Sequence, residues 1–313
     1  MPVYVVDKPL HATSHDVVAQ ARRLLGTRRV GHGGTLDPLA SGVLALLVDD
    51  GTKLSPFLTD SRKRYVAWVS FGATTATLDA EGPLLAGPSG KDVDGESIER
   101  ALPDFLALSE QVPPQYSAVK RQGVKGYEAA RKGERLDLPA RPAGYHRIDL
   151  LAFAAERDAL PDRVAFSHDR WLPHRQGRAV PLPDPLGVFP TALISLEVRA
   201  GTYVRSFARD LGEAVGAPAF LSGLLRTGAG PLDLAMAVPP SRMLESSPVA
   251  AADALSYPRI TLDSQQVGRV RQGQRLPVRL NGRTALVDGG GDLVAVAEIK
   301  DGRMTFLRVW GGH

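Results

Sequence analysis

The 313-residue chain contains no cysteine, which excludes disulfides, thiolate nucleophiles and cysteine-ligated zinc at once. Long hydrophobic runs are missing as well. The longest, Val43 to Val48, has the length of a strand and falls far short of a bilayer span, so no membrane association is expected. The N-terminal Met-Pro-Val-Tyr-Val-Val-Asp has no basic segment leading into an apolar one, so no secretory signal is expected and the cytoplasm is the expected location. Internal repeats and low-complexity tracts are lacking, and neither sign of charge dominates, the net being +4.

What is present is the composition of a soluble globular protein, with 43 % hydrophobic and 23 % charged residues. The length suits two domains better than one. Charge is unevenly spread: residues 257–313 hold nine Lys and Arg against five Asp and Glu, whereas the other 256 residues hold 29 of each sign. A small basic unit on a neutral body fits a module that meets a polyanion, though a solvated basic surface fits equally well on charge alone.

Tyr4 to Val6 reads as a short strand. Thr13 or Ser14 then caps a helix with Val17, Val18, Ala21, Leu24 and Leu25 on its apolar face and Gly26 as its stop. Arg28 to Val30 is extended and enters a glycine-rich loop, Gly31-His32-Gly33-Gly34-Thr35-Leu36-Asp37-Pro38. Val43–Val48 and Tyr65–Phe71 read as strands, Ser97–Leu108 as a helix burying Ile98, Leu102, Phe105 and Leu106, and about Tyr203 to Val215 as another helix. Together these indicate an α/β (α+β) catalytic domain over 1–256 with a mainly antiparallel mixed sheet. The stretch from about Glu156 to Pro190 lacks periodicity and reads as an inserted loop. From Pro258 onward, β-like runs at Val278–Leu280, Thr284–Val287, Leu293–Glu298 and Met304–Val309 indicate a compact all-β module over 257–313.

The glycine loop carries the clearest chemical signal. Gly-x-Gly-Gly lets a backbone turn sharply and approach another molecule closely, and Asp37 is held on it by Pro38. Such a carboxylate suits a nucleophile or a general base, although capping a turn is the commoner task of Asp-Pro. His32-Gly33-Gly34 resembles a lipase oxyanion loop, but no Gly-x-Ser-x-Gly elbow accompanies it. Gly87 to Lys91 lacks P-loop spacing. His11 with His15, and His168 with His174, lack further ligands, so no metal is expected. Basic and aromatic residues cluster at Arg22, Arg23, Arg28 and Arg29, at Arg62-Lys63-Arg64-Tyr65 and at Tyr203-Val204-Arg205. Three such clusters around one acidic glycine loop favour a nucleic acid with unstacked bases.

These segments resemble the bacterial tRNA pseudouridine-55 synthases of the TruB type. The blocks occur in the family's order: Asp7-Lys8-Pro9 with Thr13-Ser14, Gly31-His32, Thr35 to Gly42, Lys63-Arg64-Tyr65, Asp79-Ala80-Glu81-Gly82, Val112 to Lys120, Gly201 to Ser206, and Leu224-Leu225-Arg226-Thr227. The resemblance implies a pseudouridine synthase domain followed by a PUA-like RNA-binding module. It implies tRNA as partner, with the uridine of the TΨC loop flipped out for reaction, a monomer without obligatory protein partner, and no cofactor. Asp37 would open the reaction, Arg205 would pair with it, and Tyr65 would stack on the uracil and help remove the C5 proton. Tyr203 and Leu224 would wall the pocket, and His32 would fill the space left by the base. Asp79 would help arrange the nucleotide, and Lys8 and Pro9 would support the loop. The chain departs from the family at His11 and Gly33, where the family has Gly and Thr, at Ala76, where an acidic residue is common, and in its longer 156–190 insert. Two other functions fit less well: an RNA-binding or tRNA-folding protein with little catalytic role does not need Asp37, Tyr65 and Arg205 together, and a guide-dependent synthase resembling dyskerin carries terminal extensions.

Overall fold

The computed structural model describes residues 1–85, 93–121, 123–134, 136–183, 186–278 and 280–311. Its elements in chain order are β1 (Pro2–Lys8), α1 (Ser14–Leu25), β2 (Val30–His32), β3 (Ala40–Val48), β4 (Lys63–Phe71), α2 (Gly95–Leu106) and β5 (Tyr145–Ala154). Three short strands follow, β6 (Arg163–Ser167), β7 (Arg170–Pro173) and β8 (Arg178–Ala179), and then β9 (Thr191–Val198), α3 (Val204–Ala214), β10 (Ala219–Ala229), β11 (Leu232–Asp233) and β12 (Val249–Ala250). The C-terminal elements are β13 (Arg259–Thr261), α4 (Ser264–Arg271), β14 (Gly282–Val287), β15 (Leu293–Lys300) and β16 (Arg303–Val309).

A nine-stranded sheet runs in the order β12-β1-β3-β10-β4-β9-β5, with β2 on β3 and β11 on β10. Every pairing is antiparallel except β3 with β10, which lie parallel at the centre. Both central strands are buried along their whole length, as strands covered on both faces must be. The expected mainly antiparallel mixed sheet is thus what forms. Strand alternation sorts the residues into two faces. On the front, Ala67, Val69, Ile194, Leu196 and Leu224 pack with Ile98, Leu102 and Phe105 of α2 and with Phe207 and Leu211 of α3. On the back, Val5, Val43, Val66, Trp68, Leu193 and Leu225 form a second core.

Local signals account for the helices. Thr13 caps α1 in a reciprocal box with Asp16, and Gly26 ends it at φ 63. Asp94 caps α2 in the same way. Leu106 and Leu24, both expected on buried faces, are instead exposed, while their neighbours Phe105 and Leu25 take the inward side of the same turns.

Two expectations are corrected. The stretch 156–190 is not irregular throughout: residues 163–179 hold three strands. β7, β6 and β8 form an antiparallel sheet in that order, and Leu160, Val164 and Val180 enter the back-face core. Strands of two to five residues are too short to show alternation. The C-terminal unit is not all β: Asp263 and Gln266 form a capping box that starts α4, whose Val267 and Val270 bury one face. Val278 and Leu280 lie outside any strand, next to Pro277, which has no N–H to give a ladder. Its four strands run β13-β14-β15-β16 around a core of their own. Ala285, Val287, Leu293, Val296 and Trp310 also join the back-face core of the large sheet. Among the described residues no helix is long and apolar enough to cross a membrane.

Candidate active site

Asp37 stands on the irregular stretch between β2 and β3, at the front edge of the central strands. Side chains from distant parts of the chain fix this stretch by its main chain. Lys8 Nζ, fully buried, donates to the carbonyls of Pro9 at 2.9 Å, Ala12 at 2.6 Å and Pro38 at 3.4 Å. Ser14 Oγ donates to the Leu36 carbonyl at 3.1 Å and accepts from the Leu36 amide at 2.8 Å. The His11 amide donates to Pro38 O at 2.9 Å, with His11 itself at φ 65, which explains why glycine also suits that position. Arg226 closes the set: its guanidinium donates to Val43 O at 2.6 Å, Thr35 O at 3.1 Å and Gly34 O at 3.2 Å. Gly33 is demanded by packing, because a Cβ there would lie 2.9 Å from Leu58 Cβ.

The first turn of α3 brings Arg205 to this loop. Its Nε lies 2.9 Å from Asp37 Oδ2 and 3.6 Å from Asp79 Oδ2, off line for a straight hydrogen bond, so the attraction is mainly coulombic. Its two terminal nitrogens donate to the carbonyls of Thr77 and Tyr116, each at 3.1 Å. Asp79 takes the Thr77 hydroxyl at 2.5 Å and the Glu81 amide at 3.1 Å. Side-chain exposure separates the two acids: 38 % for Asp37 against 4 % for Asp79. Burial pushes the Asp79 carboxyl above the usual carboxylate range, against the pull of Arg205 and Thr77. Asp79 is therefore the acid that resists ionisation, and Asp37 is the one a substrate can reach.

Asp37 opens onto a cavity of about 480 Å³ lined by Tyr65, Tyr203, Arg205, Leu224 and Arg226, with Tyr116 and Tyr127 across it. That volume suits one flipped base with its sugar. Burial raises the phenol pKa of Tyr65, with Arg226 opposing and Asp37 reinforcing the rise, and burial likewise raises Tyr203. Lys63, also on the lining, donates to the carbonyls of Leu58, Thr59 and Ser61 and is held down to about 8 by burial with Arg226 nearby. Lys8 is likewise lowered to about 8 by burial.

Of the residues singled out from the sequence, Asp37, Tyr65, Arg205, Tyr203 and Leu224 meet around one cavity. Asp79 stands behind Arg205, and Lys8 and Pro9 lie behind the loop. His32 does not line the cavity. Its ring accepts from the Gly34 amide at 3.4 Å, and burial, with Arg226 adding, lowers its pKa. Among the described residues no three His, Asp or Glu side chains converge as a metal site would require. Sequence reading missed the roles of Arg226, Ser14 and Lys63. For Arg226 the signal was available: a charge inside the apolar run Ala219–Ala229 must find buried acceptors.

Known proteins share this fold. A chain of the crystal structure of a Cbf5-Nop10-Gar1 complex has the same fold, with a TM-score of 0.66 at 22 % identity over 98 % of this chain and 84 % of that one. Residues 22–169 match the family model for TruB family pseudouridylate synthase (N terminal domain). The chain is thus a pseudouridine synthase, an isomerase that turns uridine into its carbon-linked isomer. Within that class it belongs to the TruB family: it is 50 % identical over 311 residues to a tRNA pseudouridine synthase B of Thermus thermophilus, covering 99 % of both chains. To the enzyme of the same name from Deinococcus radiodurans it is 47 % identical over 310 residues, 99 % of this chain and 100 % of that one.

Proposed function

We propose that the chain isomerises uridine to pseudouridine at position 55, in the TΨC loop of tRNA. The observation that carries this reading is the reachable Asp37 carboxylate, 2.9 Å from Arg205, at a cavity walled by Tyr65, Tyr203 and Leu224. The target base lies inside the folded tRNA and must be turned out of its stack to enter. The ionised Asp37 then either attacks the ribose carbon that bears the base or removes a ribose proton. In both routes the nitrogen–carbon glycosidic bond breaks, and the freed uracil is retained and rotated. A bond then forms from the ribose to C5, and the C5 proton leaves. Arg205 sets its positive charge beside the Asp37 carboxylate, 2.9 Å away. Tyr65 stacks on the uracil, Tyr203 and Leu224 confine it, and Asp79 holds Arg205 in line.

Atoms and electrons balance within the substrate, so the reaction requires no redox cofactor. His32, whose ring accepts from the amide of the cavity-lining Gly34, is assigned the filling of the gap that the base leaves in the RNA. The basic unit 257–313 is assigned a PUA-like role in holding the tRNA, and the enzyme acts as a monomer without an obligatory protein partner. A guide-dependent role of the dyskerin type has less support, since full-length relatives at 47–50 % identity are named tRNA pseudouridine synthase B.

The test is tritium release from C5 of uridine-labelled, unmodified tRNA, comparing the parent chain with Asp37→Asn. Release by the parent alone, at one site of the TΨC loop, is the expected result. Tight tRNA binding with no release from either protein would overturn the catalytic reading.

A further inference from the structure

The insert covers the back face of the large sheet, the side away from the cavity, and it reaches the sheet at two telling places. Arg178 of β8 forms an ion pair with Asp7 of β1. Neither side chain is freely hydrated, and Asp7 Oδ1 and Arg178 Nη1 are buried without a hydrogen-bond partner, so the contact between Nη2 and Oδ2 is the principal compensation for both charges. Trp171 of β7 donates its indole N–H to Asp233 Oδ1 at 3.0 Å, and the second oxygen of Asp233 meets Arg64 Nη2 at 3.2 Å. A third tie, Arg170 to Asp149 at 2.9 Å, fastens the insert to β5.

Asp7 and Arg64 each precede a front-face residue of the site. Successive strand residues point to opposite faces. Asp7 faces back while Lys8 faces the loop and holds Pro38, the neighbour of Asp37. Arg64 faces back while Tyr65 lines the cavity. Between the two ties, Val164, Val180 and Leu160 of the insert pack in one core with Val5, Val43 and Val66. Gly223 of β10 leaves room for this approach, since a Cβ there would lie 2.5 Å from Leu182.

We infer that the insert is a back brace of the active site, in which Arg178 and Trp171 are positioning residues that hold Lys8 and Tyr65 in place through the sheet. The inference rests on the reaction proposed above, and two measurements test it. The first is single-turnover tritium release by Arg178→Ala, Arg178→Lys and Trp171→Phe, with tRNA affinity and thermal unfolding measured alongside. Arg178→Ala is expected to slow the bound-state rate about 10-fold, the scale of a small displacement at a reacting centre, while affinity stays within about twofold. Arg178→Lys restores most of the rate, because an ammonium still pairs with Asp7, and the conservative Trp171→Phe gives a smaller loss than Arg178→Ala. Unchanged rates, a deficit in affinity alone, or a deficit that tracks only the unfolded fraction would overturn the brace.

The second measurement needs no turnover. Hydrogen exchange over residues 34–42 is expected to quicken about 10-fold in Arg178→Ala, and unchanged exchange there would also overturn the inference. Silence of the parent enzyme in the first assay, by contrast, would sink the reaction and leave the brace to be decided by exchange.

Discussion

The stretch from Gly33 to Leu39 and the C-terminal unit are opposites. The first has no regular structure, yet Lys8, Ser14 and Arg226 hold four of its seven residues, Gly34, Thr35, Leu36 and Pro38, by side-chain bonds to main-chain carbonyls and amides. The second is built on a regular four-stranded ladder, and among the described residues its polar ties to the rest are few: Arg283 to Asp60, Arg259 to Asp253 and the Ala252 carbonyl, and the Trp310 indole to Asp50 O at 3.3 Å. Precision around Asp37 therefore comes from buried cations spending their hydrogen bonds on backbone oxygens, whereas regular hydrogen bonding suffices for the C-terminal unit, proposed above to hold the tRNA.

Breaking the loop's own chemistry should have the largest effect. Asp37→Asn is expected to lower the single-turnover rate roughly 10⁴-fold, the scale seen when an essential carboxylate becomes an amide, with tRNA affinity retained in a filter-binding assay. Arg226→Met comes next. It leaves the carbonyls of Val43, Thr35 and Gly34 without their donor, so thermal or urea unfolding should show a loss of about 3 kcal/mol or more.

A pH profile sharpens the same contrast. Lys8 and Lys63 are held near 8, below the usual lysine value, so each is charged below that pH and neutral above it. The bound-state rate should fall as pH rises through about 8, because an uncharged amine holds carbonyls more weakly. Lys63→Met, already without that proton, should show a lower and flatter alkaline limb, whereas an identical limb in the variant would assign the pH dependence elsewhere. Ser14→Ala removes one hydroxyl bonded both ways to Leu36, and a loss of about 1 kcal/mol by unfolding is expected. The smallest effect falls on the other side of the comparison. Arg308→Ala, on the cleft between the C-terminal unit and Thr59–Asp60, should weaken tRNA binding a few-fold and lower its salt dependence by about one charge, with the bound-state rate unchanged.

How much could be read in the sequence follows from how local each cause is. Thr13 and Gly26 mark the ends of α1 because caps act within one turn of chain. Asp37 was legible as a candidate through its glycine loop and through the block order around it, and the structure sets it on a cavity beside Arg205. β10 was not legible as a strand from pattern, because an element buried on both faces shows no alternation. The insert's strands were hidden by their brevity, and their purpose lies in partners far away in sequence, Arg178 with Asp7 and Trp171 with Asp233. The same distance hid Ser14, whose hydroxyl bonds Leu36 while its neighbour Thr13 caps the helix.

The parallel pairing of β3 with β10 has a consequence for how the molecule is made. Arg226 and Gly34 are 192 residues apart in the chain, yet one holds the other. As synthesis proceeds from the N-terminus, the Asp37 loop leaves the ribosome long before the strand that fixes it has been translated. A nascent chain that stops short of β10 therefore carries Asp37 without the contacts that fix its loop. Catalytic competence arrives late, in a single step of long-range closure, and this contact should lie among the slow events of folding.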